Sequence, residues 1–306
     1  MVEYTLKTVK EISKFLNLPF EGENISINGV SSYNDLQPGK LSFTNADVID
    51  EDICALVLCR ETAVIKTNNI TVIRVPNPRY CFAKISSEYL AKSSGYTIHQ
   101  SSIIDPSVDL PENIEIGPFS LIEPNVKIGS NTRIGSQVKL YKGTEIGRDC
   151  VIKSGSIVGG QGFGFGFSDD KTPQRIPHNG GVIIGDNVEI GANNVVCSGT
   201  FSPTIIQDHV KLDDLVFIAH NCKIGNKTMI AACAQLSGSV SIGSGCWIGP
   251  NCSIINQVNI GDNVTVGIGS VITKSIEDKV KVMGLNALPL KELLRAKKRI
   301  NYGKSI

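Results

Sequence analysis

From Ile206 to Ile272 an aliphatic side chain returns at every sixth residue: Ile206, Leu212, Ile218, Ile224, Ile230, Leu236, Ile242, Ile248, Ile254, Ile260, Val266 and Ile272. No α-helix keeps such a row on one face, because six residues at about 3.6 per turn send each successive side chain to the opposite side. A short strand followed by a turn does, and a six-residue repeat is the signature of a parallel β-helix. An earlier run begins at Ile104 and continues through Leu110, Ile116, Ile122, Ile128, Ile134, Leu140, Ile146, Ile152 and Val158. After GGQGFGFGFSDDKTPQRIPHNGG, too rich in Gly, Pro and polar residues to form rungs, the period resumes at Ile184, Ile190 and Val196. A smaller break, SGTFSPT at 198–204, precedes the long run. The hexads predict about eight three-sided coils of about 18 residues, a prism roughly 40 Å tall at ~4.8 Å per coil. Gly follows the aliphatic at Ile224, Ile242, Ile248 and Ile260, where a corner calls for positive φ or close approach of backbones.

Before the repeat, the pattern changes. Thr8 and Glu11 have capping-box spacing and Val9, Ile12 and Leu16 share a face, which predicts a helix over 5–18. Turn signals at Asn28-Gly29 and Pro38-Gly39, apolar segments at 54–59 and 70–75, and a second helical stretch from Arg79 to Leu90 complete a small α/β domain. The division expected is residues 1–97 for this domain, 98–284 for the β-helix and 285–306 for a terminal segment. In that segment, PLKELLRAKKRI from Pro289 reads as a short basic helix that caps the open end of the solenoid or binds a carrier.

Lys plus Arg number 30 against 29 Asp plus Glu, so no global field draws in nucleic acid or an anionic membrane. The nine Cys show no CxxC or knuckle spacing and read as small core residues of a reduced, cytoplasmic protein. A charged N-terminus and the lack of any run near 18 apolar residues argue against export and against a membrane span. Four His occur, at 99, 178, 209 and 220, without the HxH or HxxxxH pairing that would bring two together on neighbouring strands, which disfavours metal catalysis. His220, in LVFIAHNCKIG, falls two residues after the inward Ile218 and so near a corner, where a side chain can leave the solenoid. Asp213 and Asp214, one hexad earlier, are expected to orient its ring. The long excursion after Val158 is a candidate functional loop.

The stretches QGFGFGF, QRIPHNGGVIIGDNVEIGANN, KLDDLVFIAHNCKIG and IAACAQLSGSVSIG together resemble the UDP-3-O-acylglucosamine N-acyltransferase family of lipid A biosynthesis. SINGVSSYNDLQPGKLSFTN and VIRVPNPRYCFAKIS extend the likeness to that family's N-terminal nucleotide-binding domain. The resemblance implies a mostly β chain with a left-handed parallel β-helix, an exception to the right-handed crossover rule, assembled as a homotrimer with active sites between subunits. It implies an acyltransferase that moves an acyl group from a thioester, on coenzyme A or acyl carrier protein, to the amino group of a nucleotide-linked amino sugar. His220 matches the family's general base, and Gly238 in LSGS the glycine whose N–H receives the oxyanion. Gln257, with Gly238, falls on the acyl-donor side. Phe43 and Asn45 in SFTN match the nucleobase positions, and Gly162, Phe163, Phe165, His178 and Asn221 fall on the substrate side. No metal is implied.

Departures from the family pattern cluster near substrate recognition. Gln161 stands where Asp usually precedes GFG, Cys197-Ser198 where Asp-Arg is frequent, and Gln257 where a second His follows IIN. ADVID lacks the aromatic that would complete a sandwich around uracil. The reading is kept chemistry with an altered amino sugar; the lipid A enzyme proper and a non-catalytic β-helical scaffold are the alternatives.

Overall fold

The computed structural model describes residues 7–90, 97–284 and 291–292. It divides into two compact units, 1–93 and 94–306.

In the first unit the helix runs Val9–Leu16, with Thr8 as N-cap and both halves of the Thr8–Glu11 capping box formed. Three parallel strands, Leu41–Phe43, Leu56–Cys59 and Thr71–Arg74, form a sheet with Leu56–Cys59 in the middle. The middle strand is buried on both faces, as parallel sheets require. Leu56 and Leu58 enter one core with Val9, Ile12 and Ile85. Val57 and Cys59 enter the other with Ile49 and Val72. The second helix, Pro78–Ile85, starts with Pro at its first turn and is capped by the Asn77 side chain, then continues as a wider π turn over Ser86–Leu90.

The second unit is a parallel β-solenoid with three faces, two of nine strands and one of seven. Strand partners stand three hexads apart, as in Ile116, Ile134 and Ile152, so the hexad aliphatics stack into inward ladders. Every hexad position from Ile116 to Ile272 lies in a strand and is buried. Each such side chain contributes roughly 1.5–3 kcal/mol of burial, and the stack is one continuous core. Leu110 packs on that core without pairing as a strand, and Lys281–Val282 extends one face beyond the hexad run. Nine layers therefore stand on two faces, where the hexad count predicts about eight coils.

Of the two roles expected for the corner glycines, positive φ and close approach, the structure assigns them close approach. Positive φ recurs at every sixth position, at Asn125, Asn131, Gln137 and onward to Gln257 and Asn263, and not at the Gly that follows each aliphatic. Asn dominates because its short polar side chain tolerates the left-handed region. The glycine serves close approach: a Cβ on Gly225 would lie 2.5 Å from the Gly243 carbonyl carbon of the next coil.

Small polar side chains line the interior beside the aliphatics and satisfy carbonyls at the corners. Thr228 Oγ1 donates to Gly243 O at 2.7 Å, and Cys246 Sγ to Gly261 O at 3.0 Å. The buried thiols thus stand in for hydroxyls, and burial pushes that of Cys222 up to about 12, so it stays protonated.

The two breaks in the period are local. Ile190 pairs with Ile152 across the first break and with Leu212 across the second, each pair lying one coil apart as elsewhere in the stack. The surplus residues of both coils loop outward, and the ladder resumes unchanged. The larger excursion carries an antiparallel hairpin, Phe165–Phe167 with Pro173–Arg175. Of the basic helix expected from Pro289, Lys291 and Glu292 are helical and exposed, and the rest lies outside the described residues.

Candidate active site

His220 occupies the turn after the strand Phe217–Ile218, at a corner of the prism. Its ring is half-buried, and desolvation, followed by the neighbouring His178, holds its pKa below the ordinary imidazole value. Nδ1 lies 3.0 Å from Nδ2 of Asn221. The remaining contacts of that amide fix its orientation. Its Oδ1 accepts the main-chain N–H of Thr200 at 2.7 Å, so Nδ2 is the donor, both to Thr200 Oγ1 at 3.1 Å and to His220. A neutral imidazole that accepts at Nδ1 carries its proton on Nε2.

The two carboxylates expected to orient the ring do not reach it. Asp213 accepts the N–H of Asp214, and Asp214 accepts that of Ala192 at 2.7 Å. One hexad is a third of a coil, so they belong to a different corner. Asn221, adjacent in sequence, does the orienting instead, and its side chain is fully engaged by Thr200 and His220.

Three hexads on, Gly238 lies in the next coil directly over the imidazole. A Cβ there would stand 2.6 Å from Cε1 and 2.8 Å from Nε2 of His220, so any side chain at this position would have to displace the ring. The N–H of Ser239 donates to His220 O at 2.9 Å, and Gly238 O accepts from the exposed Gln257 at 3.0 Å. Among the described residues the N–H of Gly238 donates to nothing. His220, Gly238 and Gln257 are thus brought to one corner, on successive coils.

The excursion folds back over this corner. His178 is 3% exposed, with its ring centroid 4.9 Å from that of His220 and the planes at 60°. Gly162 and Gly164 cover it: added Cβ atoms would stand 2.9 Å from Nε2 and 2.7 Å from Cε1 of His178. Phe163 is 83% exposed and meets Phe165 edge-on at 5.0 Å. The Arg175 guanidinium lies over Phe165 at 4.6 Å and donates to Gly162 O at 2.9 Å. Beside these, an open cavity of about 450 Å³ is lined by Glu123, Tyr141, Lys142, Gln161, Asn179 and Ser198 among others.

The residues that depart from the family pattern do structural work that sequence reasoning missed. Gln161 grips the main chain of His178 on both sides, Oε1 accepting its N–H at 2.8 Å and Nε2 donating to its carbonyl at 3.0 Å. The ionised carboxylate of an Asp, usual at this position in the family pattern, could only accept. Ser198, buried, accepts from Gly181 N–H at 2.9 Å and shares its hydroxyl proton between His178 O and Gly199 O, each at 3.2 Å, while the Cys197 thiol is buried and pushed up to about 11.

In the first unit, Phe43 ends its strand and Asn45 follows, at the carboxyl end of a parallel sheet where α/β folds receive ligands. One side of Phe43 packs on Phe82, centroids 4.9 Å apart, and the ring is only partly buried. Asn45 is exposed. Among the described residues no cluster of three or more His, Cys, Asp or Glu is placed to bind a metal, and no helix is long and apolar enough to cross a membrane.

A three-faced solenoid of hexads with an imidazole at one corner defines a hexapeptide-repeat transferase. The pattern described as bacterial transferase hexapeptide (six repeats) matches residues 125–160 and 239–274, and that described as hexapeptide repeat of succinyl-transferase matches 181–212. Some relatives match over part of their length. The chain is 38% identical over 138 residues to UDP-3-O-acylglucosamine N-acyltransferase of Janthinobacterium sp. (strain Marseille), which is 45% of this chain and 39% of that protein. It is 32% identical over 308 residues to the protein of that name from Campylobacter lari, covering 95% of this chain and 97% of that one. The chain belongs to the UDP-3-O-acylglucosamine N-acyltransferase family. Among solved structures, LpxA from Acinetobacter baumannii is 28% identical with a TM-score of 0.56, over 66% of this chain and 77% of that chain. UDP-N-acetylglucosamine acyltransferase from Campylobacter jejuni, at 24% identity and TM-score 0.56 over 67% and 83%, shares the fold.

Proposed function

We propose that the chain is an N-acyltransferase that moves an acyl group from a thioester, on coenzyme A or acyl carrier protein, to the amino group of a nucleotide-linked amino sugar. The observation that carries this reading is the packing of Gly238 on the ring of His220, which puts a proton acceptor and an unused N–H donor side by side. The names of the relatives, including the near full-length one, support the reaction class.

The amine attacks the thioester carbonyl, a C–N bond forms, and the C–S bond breaks as the tetrahedral species collapses. The N–H of Gly238 donates to the oxygen that gains charge. His220 takes the proton of the amine and returns it to the departing thiolate. Its lowered pKa leaves it unprotonated near neutral pH, the state a base requires. Nδ1, the accepting nitrogen of the resting ring, is bonded to Asn221, so the amine takes over from that amide when it docks. The nucleobase stacks on Phe43 beside Asn45, and a second subunit of a homotrimer closes the shallow corner site.

His220→Ala should lower turnover by about 10²- to 10⁴-fold with the fold intact; near wild-type turnover would refute its role as base. A second reading, that the acceptor is UDP-3-O-acylglucosamine itself, is favoured by the names of the relatives. Thermal shift against UDP-3-O-acylglucosamine and other uridine- and thymidine-linked amino sugars separates the two, since the true acceptor raises the melting temperature by mass action.

A further inference from the structure

His178 is a buried histidine beside the open cavity, 3% exposed. Both its ring nitrogens are shut from water and without a hydrogen-bond partner in the structure. Such groups are rare in native proteins and call for a reason. One reason would be a ligand that completes them, but the edge bearing Nε2 and Cε1 is already covered by the backbone of Gly162 and Gly164. A Cβ added to the same Gly162 would stand 3.1 Å from Cβ of His220, so on that side the glycine packs against both histidines.

What the enclosure does is hold a planar ring against His220. The clamp of Gln161 on both sides of the His178 peptide and the Ser198 hydroxyl on its carbonyl fix the main chain from which that ring projects. We propose that His178 is a positioning residue for His220, a wall anchored by Gln161 that shields one side of the imidazole from water and holds it in one orientation for acyl transfer. The ring shape carries most of the effect, and the charge on its nitrogens is the smaller cause.

Other groups around His220 leave His178 as the wall. Asn221 and Thr200 flank one side and Gly238 the other, none of which titrates, and His178 is the one titratable group that acts on the ring. Desolvation, the larger cause of the lowered pKa, is what a wall supplies.

The inference rests on the proposed reaction only for its kinetic arm, so the primary readout is activity-free. With four His in the full chain, the imidazole resonances can be assigned and the titration of His220 followed by NMR in wild type, His178→Phe and His178→Ala. Phe keeps the ring and removes the nitrogens, and should leave the His220 titration low. Ala opens the wall and should let it rise toward the ordinary value. In turnover, His178→Phe should stay within about threefold of wild type. His178→Ala should lose roughly 10- to 100-fold in kcat with KM for the nucleotide sugar unchanged, the mark of lost positioning. Gln161→Glu, which gives up the donor to His178 O, should shift the titration in the same direction as Ala but less. If His178→Phe is as impaired as His178→Ala, or if the titration of His220 is the same in all variants, the proposal is overturned. If wild type transfers no acyl group while the titrations behave as stated, the proposed function fails and the positioning stands.

Discussion

Asn221→Asp tests the tautomer at His220 most directly. The residue sits at φ 61°, a conformation Asp shares with Asn, and one carboxylate oxygen can still accept the N–H of Thr200. The other oxygen then faces Nδ1 where the amide donor stood at 3.0 Å, and it can only accept. The ring must turn its proton to Nδ1 and free the lone pair of Nε2. A unit charge about 4 Å from the ring is worth about 4 kcal/mol at an effective dielectric of 20. At about 1.4 kcal/mol per pKa unit that would be nearly three units, an upper bound because water reaches the half-exposed ring, so a rise of about one to two units is expected. Folding should change by less than about 1 kcal/mol, since the Thr200 hydroxyl can turn to donate to the carboxylate. The assay is imidazole nitrogen NMR beside the pH profile of kcat/KM. Pyridine-like character should move from Nδ1 to Nε2, and the acid limb should move up in pH. An unmoved limb with an unchanged tautomer would show that Asn221 does not set the state of the base.

Gly238→Ala forces a methyl into the ring of His220 at 2.6 Å and should cost about 1–3 kcal/mol of stability together with at least about tenfold in kcat, measured by denaturation and turnover; wild-type values would mean the imidazole has room to yield. Phe43→Ala should weaken nucleotide-sugar binding by roughly 10- to 100-fold, from about 1–3 kcal/mol of stacking, with little change in kcat at saturation. Calorimetry below the unfolding transition would show equal binding if Phe43 serves only its contact with Phe82. Because the pKa of His220 is lowered by folding, the unfolded chain binds its proton first. The stabilising contribution is therefore complete above about pH 6.5 and is lost as pH falls through the lower folded value. Melting temperature should drop less on acidification in His220→Gln than in wild type, and parallel curves would contradict the shift.

The solenoid is legible because a strict six-residue period admits so few backbones, and the same period sets the ladders from Ile116 to Ile272. The capping box at Thr8–Glu11 is legible for a similar reason, as both partners are local. The site is legible only as far as motif likeness reaches, to His220, Gly238 and the QGFGFGF loop. Asp213 and Asp214 mislead because nearness in sequence is not nearness in space, and one hexad carries the chain to another face. The clamp by Gln161 joins residues 17 apart across an irregular loop, and no period or propensity encodes such a contact. Residues 161 and 198 look like altered recognition when read along the chain, and their bonds to the main chain of His178 are visible only in three dimensions.

The two excursions leave the inward ladder as they found it, with Ile190 stacked between Ile152 and Leu212. In a stack where each coil contacts only its neighbours, what happens outside a corner is invisible to the core. Loops here can therefore be lengthened, shortened or exchanged by mutation without a toll on folding, so long as the chain re-enters in register. A lineage carrying this scaffold could explore new acceptors by rewriting the hairpin at residues 165–175 alone, while Gln161, His178 and the imidazole and glycine on the adjacent coils were inherited untouched.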